Sequence, residues 1–115
     1  MKDIILTVAT KFNVTELAKE AYQNFPQAAI NLPCSEYNYD KFLFSFYEAE
    51  EDKIHEVDLE KASNGVANLI EAWSRGECHF CGIDKLDDFR DTGNWDAIVF
   101  DAAMQYAIFN DIVYS

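Results

Sequence analysis

Along residues 42–48, FLFSFYE, hydrophobic side chains fall on alternate positions, so Phe42, Phe44 and Phe46 share one face of a predicted strand. The acidic turn AEED follows, and KIHEVDL then sets His55, Val57 and Leu59 on one side of a return strand. Together these segments predict a β-hairpin. Elsewhere the period lengthens to that of a helix. Residues 13–25, NVTELAKEAYQNF, carry Val14, Leu17, Ala18, Ala21, Tyr22 and Phe25 on one helical face. Asn13 and Glu16 stand as N-cap and capping-box partner, Phe12 as a staple on Leu17, and Pro26 as the stop. A second helix aligns Leu59, Ala62, Val66, Leu69, Ile70 and Trp73, with Gly76 as its C-cap. Gly65 inside it costs about 1 kcal/mol relative to alanine, which leaves Ser63 as an alternative start.

A short helix is expected around Ile83, Leu86 and Phe89, and a last one from Asn94 or Trp95 to about Phe109, capped by Asn94. This last segment is apolar nearly all round, and Val99, Ala102, Ala103, Tyr106 and Ala107 let other backbones approach, which predicts a central position in the core. The β-branched run IILTVAT, residues 4–10, reads as a strand or an extra helical turn. Residues 26–41 hold both prolines and several Asn, Ser and Tyr, and read as a long surface connection. No repeat, low-complexity tract or interdomain linker is visible. The expected fold is α+β, a single domain over residues 1–115 with a small antiparallel hairpin or sheet packed against three to four helices.

Composition supports independent folding. Half of the 115 residues are hydrophobic and 15% are aromatic, far from the composition of a disordered chain. A chain of this size buries roughly 65% of its unfolded surface, enough for one core. The run MKDIILTVATKF is too short and too broken by Thr for a signal-peptide core or a membrane span, so a soluble, cytoplasmic protein is expected, with no membrane partner. Cys34, Cys78 and Cys81 are an odd number, for which reduced thiols are the expectation.

Charge changes the picture most. The net charge is −12, and its distribution is uneven. Residues 1–35 and 61–83 are each balanced, whereas residues 36–60 hold nine acids against Lys41 and Lys53, and residues 84–111 hold seven against Lys85 and Arg90. Without a basic stripe to displace counterions from phosphates, direct binding to nucleic acid is argued against. Glu48, Glu50, Glu51, Asp52, Glu56, Asp58 and Glu60 crowd the hairpin and the start of the next helix, with Lys53 and Lys61 as the local counter-charges. Such crowding costs stability through self-repulsion, which a mixed solubilising surface would avoid. Two readings follow: a solvated face, or an anionic face for a strongly basic partner, with Asp84, Asp87, Asp88 and Asp91 as further contributors.

Other chemistry is sparse. CHFC, residues 78–81, is a C-x2-C pair that supplies two of four zinc ligands, and Cys34, His55 and His79 form no second close pair. In DKLDDFRDTGNWD, residues 84–96, placing Gly93 at the sixth position of a calcium loop puts Arg90 at the third, where an oxygen ligand is required. Cys81 with His55 or His79 could be drawn as a dyad on spacing alone. No nucleophile elbow, phosphate-binding glycine loop or H-E-x-x-H helix is present. A non-enzymatic protein is expected, with no cofactor and no metal.

The carboxyl-terminal run DAAMQYAIFNDIVYS, residues 101–115, resembles the terminus of small acidic proteins of phages and other mobile elements. Asp101, Met104, Gln105, Ala107, Phe109, Ile112, Val113 and Tyr114 match that pattern, and Ser115 stands where it usually closes with glycine. The order of acidic hairpin, amphipathic helix and acidic turn before it extends the likeness over residues 42–115. These read as packing residues, so the likeness implies a shared fold and a mobile-element origin. Small acidic proteins of such origin include inhibitors of host defence, anti-CRISPR and anti-restriction, some acting as DNA mimics, and inhibition of this kind is the first expectation for this chain. The partner would be a basic host protein or nucleoprotein complex with a nucleic-acid channel. Two alternatives remain: an assembly or interaction protein whose acid only solubilises, and a metal- or thiol-dependent protein using Cys78 and Cys81.

Overall fold

A computed structural model of the protein describes residues 13–24 and 31–114. The strand expected at 4–10, the Phe12 staple, Phe25 and the Pro26 stop lie outside the described residues. Helix α1 spans Val14–Asn24, and its start is fixed by Asn13 Oδ1, which accepts the Glu16 N–H at 3.1 Å. Strands β1 (Cys34–Asn38), β2 (Leu43–Glu48) and β3 (Lys53–Asp58) form an antiparallel sheet in that order. Helix α2 (Leu59–Ser74) follows, then 3-10 turns at Leu86–Arg90 and Thr92–Asn94, then α3 (Ala97–Phe109). Three helices pack against a three-stranded sheet, an α+β arrangement.

The hairpin forms as its alternation requires. Phe44, Phe46 and Val57 are fully buried on the inner face, and Glu56 and Asp58 point outward. Phe42 stands one residue before the strand, at φ 48° in the turn. Residues 26–41 are not merely a connection, because Cys34–Asn38 pairs with β2. Four of the five β1 side chains are exposed, so the strand is held by backbone pairing and lacks the hydrophobic alternation that marks β2.

Tyr22 of α1 meets Phe44, Phe46 and Phe100 edge-on, with ring centroids 5.2, 6.2 and 5.0 Å away, and so joins sheet and helices. α2 begins at Leu59 and not at Ser63, because Asp58 is its N-cap and accepts the Lys61 N–H at 2.9 Å. Gly65 has a packing reason: a Cβ there would stand 2.6 Å from the Ala103 carbonyl oxygen and 2.7 Å from the Ala107 Cβ. The two helices cross where Gly65 leaves room for the α3 backbone. The cap of α3 is Asp96, which accepts the Val99 N–H at 3.0 Å. Asn94, expected in that role, instead donates to the Asp88 carbonyl from within the preceding turn. Val99, Phe100, Ala102, Ala103 and Met104 are buried, which puts α3 in the core.

Candidate functional site: an acidic hairpin and a carboxyl-terminal lock

Strand parity divides the hairpin acids. Glu48 continues the inward series of Phe44 and Phe46 and is 6% exposed. Its Oε1 accepts from His55 Nε2 at 2.8 Å and its Oε2 from the Tyr114 hydroxyl. Glu48 therefore lies off the exposed acidic surface on which the sequence placed it. The alternation that identified Phe44 and Phe46 reaches Glu48 after two more residues, so its inward position was legible.

The Tyr114 hydroxyl first, and His55 second, hold the Glu48 carboxyl below the usual carboxylate range, against the opposing effect of desolvation. The same hydrogen bond pushes the Tyr114 phenol up to about 12. A depressed folded pKa means that Glu48 contributes its full stability above its ordinary value of 4.5 and loses it as pH falls through the lower folded value. Thermal midpoints of the parent should drop more steeply below that pH than those of Glu48→Gln. Parallel profiles would remove Glu48 from the acid response.

The other hairpin acids are exposed, in two kinds. Asp52 accepts the Tyr47 hydroxyl at 2.7 Å, and Asp58 caps α2. Glu50 and Glu51 in the turn, Glu56 on the outer face of β3 and Glu60 in the first turn of α2 are exposed. Their carboxylates have no hydrogen-bond or ion-pair partner among the described residues, and neither does that of Glu36 on β1. Lys61 turns its Nζ to the Glu56 carbonyl at 3.3 Å and so covers part of the β3 edge.

The second acidic block is built differently. Asp88 Oδ2 accepts the N–H groups of Lys85 and Asp84 at 3.0 and 2.9 Å, and these bonds hold its carboxyl below the usual range. Asp91 accepts the Gly93 N–H at 2.8 Å, and Asp87 pairs with Arg90. Asp84 alone of the four has an exposed carboxylate without a partner among the described residues. The turn holding the block packs Phe89 on Trp73, in the last turn of α2, whereas Glu60 stands in the first. Thirteen residues of helix place these ends about 20 Å apart along the axis. The structure thus concentrates unpaired carboxylates at the hairpin.

The terminal pattern read as packing residues contains a hydrogen-bonded lock. Asp101 and Gln105 are the only polar residues of α3, four apart on one face, and both are buried. Asp101 accepts the backbone and side-chain N–H groups of Asn31 at 3.0 and 2.9 Å and Gln105 Nε2 at 2.8 Å. Gln105 Oε1 accepts the N–H groups of Val113 and Tyr114, and Nε2 also donates to the Tyr114 carbonyl, each at 2.8 Å. The side-chain amide pairs with residue 114 as a neighbouring strand would. Phe109 rests edge-on against His55 and Tyr114, and Ala107 faces Gly65. The isolated polar pair on an apolar helix was a sequence signal for this lock; Asn31 and Tyr114 as its partners were not legible.

Beside the lock is a mainly apolar cleft of about 380 Å³, lined in part by Cys78, Phe80, Ile98, Ala102 and Ile112. All three cysteines are free thiols, Cys34 and Cys78 half-buried and Cys81 exposed. Burial, and then the Glu77 charge, pushes the Cys78 thiol up, which opposes the thiolate that metal binding or nucleophilic chemistry requires. Among the described residues no three His, Cys, Asp or Glu side chains converge as a metal site. No helix among them is long and apolar enough to cross a membrane. No protein-family model, curated protein or solved structure matches the chain.

Proposed function

We propose that the protein is a non-enzymatic inhibitor of a host nucleic-acid-handling defence complex, of the anti-CRISPR or anti-restriction type, and that its hairpin carboxylates occupy a basic channel. One observation carries this reading. Glu50, Glu51, Glu56 and Glu60, with Glu36 across the sheet, are exposed, and their carboxylates have no hydrogen-bond or ion-pair partner among the described residues. Uncompensated like charges weaken a fold, and a Lys- and Arg-rich surface relieves them on binding. A channel that meets about one negative charge per 1.7 Å of duplex axis provides such a surface, so the protein acts as a DNA mimic. The host-defence setting, and with it action in the host cytoplasm, comes from the resemblance of residues 101–115. In an assembly protein the exposed Ile54 and Leu43 would carry binding and salt would matter little.

The test adds purified protein to a panel of restriction and CRISPR effector complexes and measures their binding to duplex DNA. At least one effector should lose DNA binding, with DNA competing and the loss shrinking as salt shortens the Debye length from about 30 Å at 0.01 M to about 8 Å at 0.15 M. Unchanged DNA binding by every effector at low salt would defeat the reading.

A further inference from the structure

The outer face of the sheet differs strand by strand. Along its middle β2 presents Leu43, Ser45 and Tyr47, none of them charged. Ser45 pairs with Glu36 on one side and Glu56 on the other, so a carboxylate flanks each edge of the central strand. Neighbouring strands lie about 4.8 Å apart, which sets these flanking positions about 10 Å apart. An α-helix with its side chains is about 10–12 Å across. The small Ser45 leaves an open trough of about 700 Å³, lined by Glu36, Asn38, Lys41, Leu43, Ser45 and Glu56 among others. Apolar surface accompanies it, with Leu43 37% and Ile54 59% exposed.

We propose that this face docks a basic amphipathic α-helix of a protein partner. A small or apolar stripe of the helix lies along Leu43, Ser45 and Tyr47, and Arg or Lys on its two flanks reach Glu36 and Glu56. The inference rests on the reading that the partner is basic and adds the shape of the element that binds. Charge selects this occupant, because a second copy would set Glu36 and Glu56 against the same carboxylates and nucleic acid would be repelled. Length agrees: the six residues of β2 span about 20 Å, matched by a helix of about 14 residues.

The probe is a synthetic helical peptide of about 14 residues, with Leu and Ala on one stripe and Arg on both flanks, compared with a scrambled peptide of the same composition. Affinities for the whole protein are measured by fluorescence anisotropy at low and physiological salt. Ser45→Phe fills the trough without changing charge, at an outward strand position that suits an aromatic residue, and its thermal midpoint verifies the fold. The patterned peptide should bind at least about tenfold more tightly than the scrambled one, a difference of about 1.4 kcal/mol. Ser45→Phe should abolish that preference, and Glu36→Gln with Glu56→Gln should weaken the patterned peptide about tenfold. The helix site is overturned if neither peptide binds, if both bind equally, or if folded Ser45→Phe keeps the preference. Equal but salt-sensitive binding would overturn the helix site alone and leave the charge-based reading, which the effector panel tests separately.

Discussion

Gln105→Leu should destabilise the protein by about 3 kcal/mol and release its carboxyl-terminal segment. Leucine fills similar volume but leaves the Val113 and Tyr114 N–H groups, the Tyr114 carbonyl and the Asp101 carboxylate without the bonds Gln105 makes to them. The segment can peel into water to recover its hydrogen bonds, which limits the loss and gives it a local signature. Amide exchange at Val113 and Tyr114 should accelerate more than exchange within α2. Gln105→Glu keeps the acceptor but removes both donors and sets a second carboxylate beside Asp101. That variant should be weakest at neutral pH and recover partly on acidification, since protonating the introduced carboxylate removes the repulsion and restores a donor. Wild-type melting and exchange in Gln105→Leu would mean that the lock does not hold the terminus.

Gly65→Ala should lower stability by about 2 kcal/mol, or about 8 °C in thermal midpoint for a domain of this size. In an exposed helix the same change stabilises by about 1 kcal/mol, so the prediction reverses the usual sign. The atoms that a new Cβ meets belong to α3, the Ala103 carbonyl oxygen, the Ala107 Cβ and the Ala107 nitrogen, all within 2.8 Å. Two are backbone atoms, and no side chain can swing aside. The exposed neighbour in Asn64→Ala provides the control, expected to be neutral or slightly stabilising. A raised midpoint in Gly65→Ala would place the helix crossing elsewhere.

The hairpin and the faces of α1 and α2 were legible because hydrophobic burial imposes a period, and Phe44, Phe46, Val57, Leu17 and Leu69 follow it. β1 was not, since an edge strand needs only backbone pairing, and CSEYN shows no alternation of buried side chains. Gly65 looked like a weakness of α2 because the close approach of α3 is a long-range fact. The acidic character of the site was plain from counting charges, but the engagement of each carboxylate depends on local geometry. Glu48 is turned inward by strand parity, Asp58 and Asp91 cap turns and helices, and Asp88 gathers two backbone N–H groups. The alternation of β2 separates Glu48 from the rest, but sequence spacing could not separate Asp58, Asp88 and Asp91 from Glu50, Glu51, Glu56 and Glu60.

That separation defines the most direct measurement. Glu50, Glu51, Glu56 and Glu60 are reversed together to Lys, sparing Glu48, Asp52 and Asp58, whose carboxylates hold structure. The variant and the parent are compared as inhibitors of duplex DNA binding across the effector panel, at low and physiological salt, once equal thermal midpoints show that both are folded. The account predicts that the parent blocks at least one effector and the reversal does not, with the gap widest at low salt, where steering acts over about 30 Å. Indistinguishable behaviour of parent and reversal toward every effector at both salt concentrations would contradict it and leave the hairpin as a solvated surface.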